Sequence, residues 1–271
     1  MERENVNIDI YEIVRIARRA GEAIMEIYGT AFDVDLKEDN SPVTQADMIA
    51  HKIIQAELSM LYPQIPCISE EKDAPSYEER KSWNLFWLVD PLDGTKEFIK
   101  KSGEFTVNIA LIKGNYPVLG VVYAPAKDVM YYSNKDDGAW KQEGNGKPKR
   151  IHVREYQDKE GMIVVASLSH RSKEDEVFLQ RLNIKETTSS GSSLKFCIVA
   201  EGNADIYPRM GPTMEWDTAA GQCIVEVAGG TVEDIQGVRF HYNKPSLLNG
   251  AFIAHSGCYK ANPDNPSSYS V

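Results

Sequence analysis

The chain reads as an α/β protein, and three observations carry that reading. Two long helical repeats open it, a run of strands follows, and from Gly161 onward short strands and helices alternate. Ile10, Ile13, Val14, Ala17, Gly21, Ile24 and Ile27 recur on one helix face, giving an amphipathic first helix. Ile49, Ile53, Ile54, Leu58 and Leu61 do the same for a second helix over 45–61. Thr44 with Asp47 has the form of a capping box at its start. Residues 65–68 and 85–89 are apolar runs of strand length. Residues 106–112, 118–123 and 129–133 are expected as antiparallel strands, the first two joined by a turn at Lys113-Gly114-Asn115. Gly144-Asn145-Gly146-Lys147-Pro148 is a loop. Beyond it, strands at 162–166, 185–188 and 204–207 alternate with helices at 174–182, 192–201 and 217–227, the last ended by Gly229-Gly230. The alternation predicts a second α/β lobe packed on the first. The expected division is 1–155, 156–260, and a polar, proline-interrupted tail at 261–271 that should fray.

Composition narrows the function. A formal charge of −10 argues against a nucleic-acid polymer as partner, because affinity there comes from clustered cations. A small phosphorylated ligand is compatible if bound cations invert the local field. Cys67, Cys197, Cys223 and Cys258 show no C-x-x-C spacing, and neither a signal peptide nor a long apolar run is visible. The expectation is a soluble, reduced, cytoplasmic protein with structural thiols and no transmembrane segment.

The chemistry concentrates at Leu88-Val89-Asp90-Pro91-Leu92-Asp93-Gly94-Thr95. Asp90 stands where the strand should end, and Pro91 is expected to take the chain out of the sheet immediately after it. Asp93-Gly94-Thr95 supplies a turn and a helix start. Two carboxylates held this close repel unless cations sit between them, and oxygen ligands suit Mg²⁺. The N–H groups of Gly94 and Thr95 are expected to face an anion above the elbow. Alone, Asp-x-x-Asp-Gly is usually a surface turn. Three other acidic positions at element boundaries strengthen the metal reading: Ser69-Glu70-Glu71 after a strand, Asp47 at a helix start, and Asp217 in Trp216-Asp217. His152, His241 and His255 read as structural or solvent-facing, and Trp83, Phe86 and Trp87 as core.

This set of motifs resembles the inositol monophosphatase superfamily of Mg²⁺-dependent, lithium-sensitive phosphatases, from about Ile10 to about His255. Within it the chain is more similar to the bacterial 3'(2'),5'-bisphosphate nucleotidases. Thr95-Lys96-Glu97-Phe98 stands where inositol monophosphatases usually read T-N-F, and the nucleotidase-like phrases include 103–110, Ser167-Leu168-Ser169-His170, Gly191-Ser192-Ser193-Leu194-Lys195 and 204–209. The resemblance implies a layered α-β-α-β-α sandwich. It implies two Mg²⁺ ions, the first on Glu70, Asp90 and the Leu92 carbonyl, the second on Asp90, Asp93 and Asp217, with a third, weaker ion near Glu70 as an option. Thr95 with Asp47 or Glu70 would orient and deprotonate a water, and Gly94, Thr95, Ser169, His170, Ser192, Lys195 and Arg209 would contact substrate. The second phosphate of a bisphosphate needs a cation of its own, for which Lys195 and Arg209 are the candidates, Lys195 standing after Gly191-Ser192-Ser193, whose N–H groups suit an anion at a helix start.

The implied reaction removes the 3'-phosphate of 3'-phosphoadenosine 5'-phosphate, or of its 5'-phosphosulfate relative, in sulfur assimilation. An inositol or sugar monophosphatase is the enzyme alternative, and a metal-dependent phosphate-ligand sensor the alternative without turnover. The location implied is cytoplasmic, with peripheral contact to the inner membrane and the oligomeric state left open.

Overall fold

The computed structural model describes residues 7–31, 34–36, 42–157, 160–167 and 172–260. The tail at 261–271 and the Ser169-His170 pair lie outside them. The chain opens with α1 (Ile10–Tyr28), the antiparallel pair β1 (Val34–Leu36) and β2 (Pro42–Thr44), and α2 (Gln45–Leu61). Then come β3 (Cys67–Ser69), the single turn α3 (Tyr77–Arg80), β4 (Leu85–Asp93) and α4 (Thr95–Ile99). A meander follows: β5 (Thr106–Lys113), β6 (Tyr116–Ala124), β7 (Val129–Asn134), β8 (Gly138–Glu143) and β9 (Lys149–Arg150). The second half holds β10 (Met162–Ala166), α5 (Lys173–Leu179), β11 (Ile184–Ser189), α6 (Leu194–Ala200) and β12 (Ile206–Arg209). It closes with β13 (Thr213–Met214), α7 (Glu215–Val227), β14 (Thr231–Asp234), β15 (Leu248–Asn249) and β16 (Phe252–His255).

Strands β3 to β9 form a seven-stranded sheet in sequence order, parallel only between β3 and β4. The order β11-β10-β12-β16-β14 makes a five-stranded mixed sheet. Side-chain alternation along the strands builds the layers. Trp87, Val89, Ile109, Val121 and Met130 face one way and pack with the apolar stripes of α1 and α2. Phe86, Leu88, Ala110, Val122 and Tyr131 face the other way, toward α6, α7 and one face of the five-stranded sheet (Val165, Tyr207, Phe252, Ala254). The opposite face of that sheet, Val164, Ile206 and Ile253, packs on Phe178 and Leu179 of α5. Helices, sheet, helices, sheet, helix: the α-β-α-β-α sandwich is the observed architecture.

Helix α7 lies close on β6, and glycine permits it. A Cβ at Gly120 would stand 2.5 Å from the Ala220 carbonyl oxygen, and one at Gly221 the same 2.5 Å from the Phe196 ring. A side chain at Gly120 would push the helix that carries Asp217 off the sheet, and one at Gly221 would push it away from α6. All four cysteines are free, Cys197 and Cys223 buried. Among the described residues no helix is long and apolar enough to cross a membrane.

Three expectations need correction. Strand β4 does not end at Asp90: Asp93 pairs with Thr106 after a register shift, so Pro91 and Leu92 form a bulge inside the strand. The bulge needs no ladder donor from Pro91, which is why proline is tolerated there. The helix expected over 192–201 begins later, at Leu194, because Ser192 takes φ 44°, outside helical geometry. The residue pattern also does not announce β1, β2, β8, β9 or β13 to β16; β14 and β16 supply the far edge of the five-stranded sheet.

Candidate metal and phosphate site

The bulge in β4 aims the first carboxylate. Asp90 continues the side-chain alternation of Phe86 and Leu88 and is buried under α7, opposite Asn108. The Leu92 N–H donates to Asp90 Oδ1 at 3.0 Å, closing the bulge on itself. Gly94 then takes φ 92°, a left-handed conformation that glycine adopts without strain, and α4 starts at Thr95.

Three chain segments converge here. Glu70 leaves the end of β3 with its N–H on the Val89 carbonyl at 3.1 Å. The preceding Ser69 hydroxyl lies 2.8 Å from His51 Nδ1 on α2, which fixes the strand end. Asp217, in the first turn of α7, accepts the Met214 N–H at 2.8 Å. Glu70, Asp90 and Asp217 each offer a carboxylate oxygen, all within 4.8 Å of one another. A wider hollow of about 780 Å³ beside the start of α2 is lined by both Glu70 and Glu71. Asp93 lies next to the triad, and its Oδ2 accepts from the Ser193 N–H at 2.7 Å, the Ser193 hydroxyl at 2.8 Å and Asn108 Nδ2 at 3.3 Å.

Burial, and then repulsion from Glu70, Asp93 and Asp217, pushes the Asp90 carboxyl well above the usual carboxylate range. Burial and the charge of Asp93 do the same to Asp217. Asp93 is also raised by burial, against the opposing pull of Lys195 and Ser193. A like-charged oxygen cluster in the protein interior is an unfavourable arrangement for the free protein and a fitting one for a hard divalent cation. The residues present therefore fit a metal site of the Mg²⁺ type.

Asp47 turns out to do both things that its position allows. Its Oδ2 accepts the Thr44 N–H and hydroxyl, each at 2.7 Å, as the cap of α2. Its Oδ1 accepts the Thr95 hydroxyl at 3.1 Å. A cleft of about 250 Å³ opens beside Thr95, and its lining includes Glu70, Asp93, Asp217, Ser192, Lys195 and Arg209. Lys195 is 5 % exposed. Its ammonium donates to the Ser192 carbonyl at 2.6 Å, and burial pulls its pKa down to about 8.

The expectation that the N–H groups of 191–193 await an anion fails at two of the three positions. Gly191 N–H donates to Glu104 Oε2 at 2.9 Å, and that of Ser193 is spent on Asp93. Residues that sequence reasoning passed over are Thr106, Asn108 and Ser193, which hold Asp93. Polar side chains at alternate positions of an otherwise apolar strand, Thr106 and Asn108, were the available signal.

The chain is similar to known proteins over nearly its whole length. The family model described as "Inositol monophosphatase family" matches residues 7–264. The 3'(2'),5'-bisphosphate nucleotidase CysQ of Escherichia coli (strain K12) is 53% identical over 244 residues, covering 89% of this chain and 97% of that protein. The crystal structure of CysQ from Bacteroides thetaiotaomicron, described as a bacterial member of the inositol monophosphatase family, superposes with a TM-score of 0.79 at 42% identity, covering 91% of this chain and 96% of the other. An inositol monophosphatase from Zymomonas mobilis gives a TM-score of 0.77 at 27% identity, covering 99% of this chain and 100% of the other.

Proposed function

The chain belongs to the inositol monophosphatase family, and we propose that within it this protein is a metal-dependent 3'(2'),5'-bisphosphate nucleotidase. Its reaction releases the 3'-phosphate of 3'-phosphoadenosine 5'-phosphate as inorganic phosphate and leaves AMP; the 5'-phosphosulfate analogue is the second substrate. The role is disposal of the spent nucleotide of sulfate activation, in the cytoplasm. The observation that carries this reading is one cleft lined by both signs of charge: the half-buried carboxylates of Glu70, Asp93 and Asp217 beside Thr95, together with Lys195 and Arg209. One phosphate would be met by cations held by the carboxylates, and the other by the basic side chains.

Glu70, Asp90 and the Leu92 carbonyl would hold one Mg²⁺, and Asp90, Asp93 and Asp217 another, most of these ligands coming from the 1–155 lobe and Asp217 from the 156–260 lobe. A third, weaker ion would sit near Glu70. Bound there, the cations supply a water of lowered pKa and neutralise the oxygen that leaves. The chain's own part is proton handling and orientation. With its hydrogen on Asp47 Oδ1, Thr95 Oγ1 turns a lone pair toward the cleft and accepts a water's hydrogen. Since Thr44 occupies Oδ2, Oδ1 is the atom that takes the proton. Gly94, Thr95 and Ser192 pack against the substrate, and Arg209 grips the 5'-phosphate through its fork geometry while Lys195 supplies a point charge. Ser169 and His170 are assigned to the same substrate by resemblance alone.

Product identification tests the reading. With Mg²⁺ and 3'-phosphoadenosine 5'-phosphate, phosphorus NMR should show AMP and inorganic phosphate in equal amounts, and none with chelator. Formation of adenosine 3'-phosphate, or no release, would contradict it.

A further inference from the structure

The turn at 190–193 is bound to the first sheet more firmly than a cleft wall requires. Ser192 tolerates φ 44°, a strained value for a residue with a Cβ, between two anchored neighbours. Gly191 is held by Glu104, and Ser193 by Asp93. The Ser193 hydroxyl lies 2.8 Å from Asp93 Oδ2, 2.8 Å from the Asp217 carbonyl, and 2.8 Å from Asn108 Nδ2, which donates to it. Asn108 in turn accepts the Thr106 hydroxyl at 3.0 Å, which orients its amide so that both Nδ2 hydrogens face Ser193 and Asp93. Ser193 and Asn108 are 2 % and 1 % exposed. The hydroxyl has one hydrogen for two acceptors. Whichever it serves, Asp93 Oδ2 keeps the Ser193 N–H and Asn108 Nδ2, one for each lone pair, which leaves Oδ1 for a cation.

We propose that Ser193, backed by Asn108, is a positioning residue of the metal site: it locks the Asp93 carboxylate with Oδ1 toward the cluster and ties the strand carrying Asp93 to the helix carrying Asp217. The inference rests on the metal-binding half of the function proposed above and not on the identity of the substrate.

The test is Mg²⁺ titrated into nucleotide-free protein, read by calorimetry and by the rise in melting temperature. Ser193→Ala keeps the backbone N–H and deletes every Oγ contact. Mg²⁺ should bind about tenfold more weakly, equivalent to about 1.4 kcal/mol. Asn108→Ala should weaken it about three- to tenfold, and the double variant should fall short of the product of the two, because both act on one carboxylate. In turnover, the Mg²⁺ concentration for half-maximal rate should rise while KM for the nucleotide stays within about twofold. If both variants bind Mg²⁺ within about twofold of the parent and only the melting temperature in chelator drops, Ser193 merely holds the fold and the proposal is overturned. Should Ser193→Ala fail to fold, Asn108→Ala decides by the same criterion. A parent protein that binds no Mg²⁺ would strike the metal reading itself, whereas unaffected variants of a Mg²⁺-binding parent strike only this inference.

Discussion

Replacing Asp90 by Asn removes one negative charge from a cluster that already holds too many for a metal-free protein. Asp90 is 1 % exposed, and oxygens of Glu70 and Asp217 lie within 4.8 Å of one of its own. At an effective dielectric of about 20, two unit charges 4.8 Å apart repel by about 3.5 kcal/mol. Relaxation, water entry and partial protonation relieve most of that, leaving a net gain on the order of 1–3 kcal/mol on removing the charge. The amide oxygen of Asn can still accept the Leu92 N–H, so the bulge survives. In chelator, Asp90→Asn should therefore melt several degrees above the parent, at roughly 2–4 °C per kcal/mol. The pH dependence fixes the sign. The folded carboxyl titrates above its unfolded value of about 3.9, so the native state binds more protons in between, and stability falls as pH rises through that window. The advantage of the variant should thus widen from acid toward neutral pH. Saturating Mg²⁺ should reverse the ranking, raising the parent's melting temperature and leaving the variant's nearly unchanged, with turnover abolished. Scanning fluorimetry at two pH values, with chelator and with Mg²⁺, reads all of this. A variant less stable than the parent in chelator, or equally stabilised by Mg²⁺, would refute the electrostatic reasoning.

Other outcomes follow from the same geometry. Thr95→Ala should lower kcat at least about a hundredfold with KM little changed, and Thr95→Ser should keep much of the rate; loss of about 1 kcal/mol of stability with near-normal kcat would reduce Thr95 to a helix start. Lys195→Ala and Arg209→Ala should each raise KM for the bisphosphate about tenfold or more, and affect a monophosphate substrate much less. Because burial brings Lys195 down to about 8, its positive charge fades as pH rises through that value, so kcat/KM for the bisphosphate should fall above about pH 8 and lose that limb in Lys195→Met. Gly120→Ala should destabilise the protein by about 1–3 kcal/mol in a thermal melt, since its Cβ would stand 2.5 Å from the Ala220 carbonyl oxygen.

Much of the fold is legible where one local rule dominates. The stripes of α1 and α2 and the apolar runs of β5 to β7 each bury a face by their own periodicity, and the small residues of α7 announce a helix that must approach a sheet closely. By contrast, β14 is Thr-Val-Glu-Asp and β16 only the four residues Phe-Ile-Ala-His; each is too short to announce a strand, and becomes one because its neighbours in the sheet complete its hydrogen bonds. Strand β4 outlasts Pro91 because a bulge removes the need for the missing donor, a feature no propensity describes.

The carboxylates were visible as acidic residues at element boundaries. Asp47 offered two readings that seemed to compete, and the structure reconciles them by giving each carboxylate oxygen a different partner. What stayed hidden was the service of Ser193 and Asn108 to Asp93. That contact joins positions 85 and 100 residues apart in the chain, and exists only once the two sheets enclose α6 and α7.

The central claim is that the cleft reads two phosphates, one through cations held by its carboxylates and one through Lys195 and Arg209. Its most direct test is kcat/KM with Mg²⁺ for 3'-phosphoadenosine 5'-phosphate, inositol 1-phosphate and fructose 1,6-bisphosphate on one preparation. A preference of about a hundredfold is expected for the nucleotide over inositol 1-phosphate, which has no second phosphate for the two roughly tenfold charge contacts at Lys195 and Arg209. Equal or faster phosphate release from inositol 1-phosphate would contradict it.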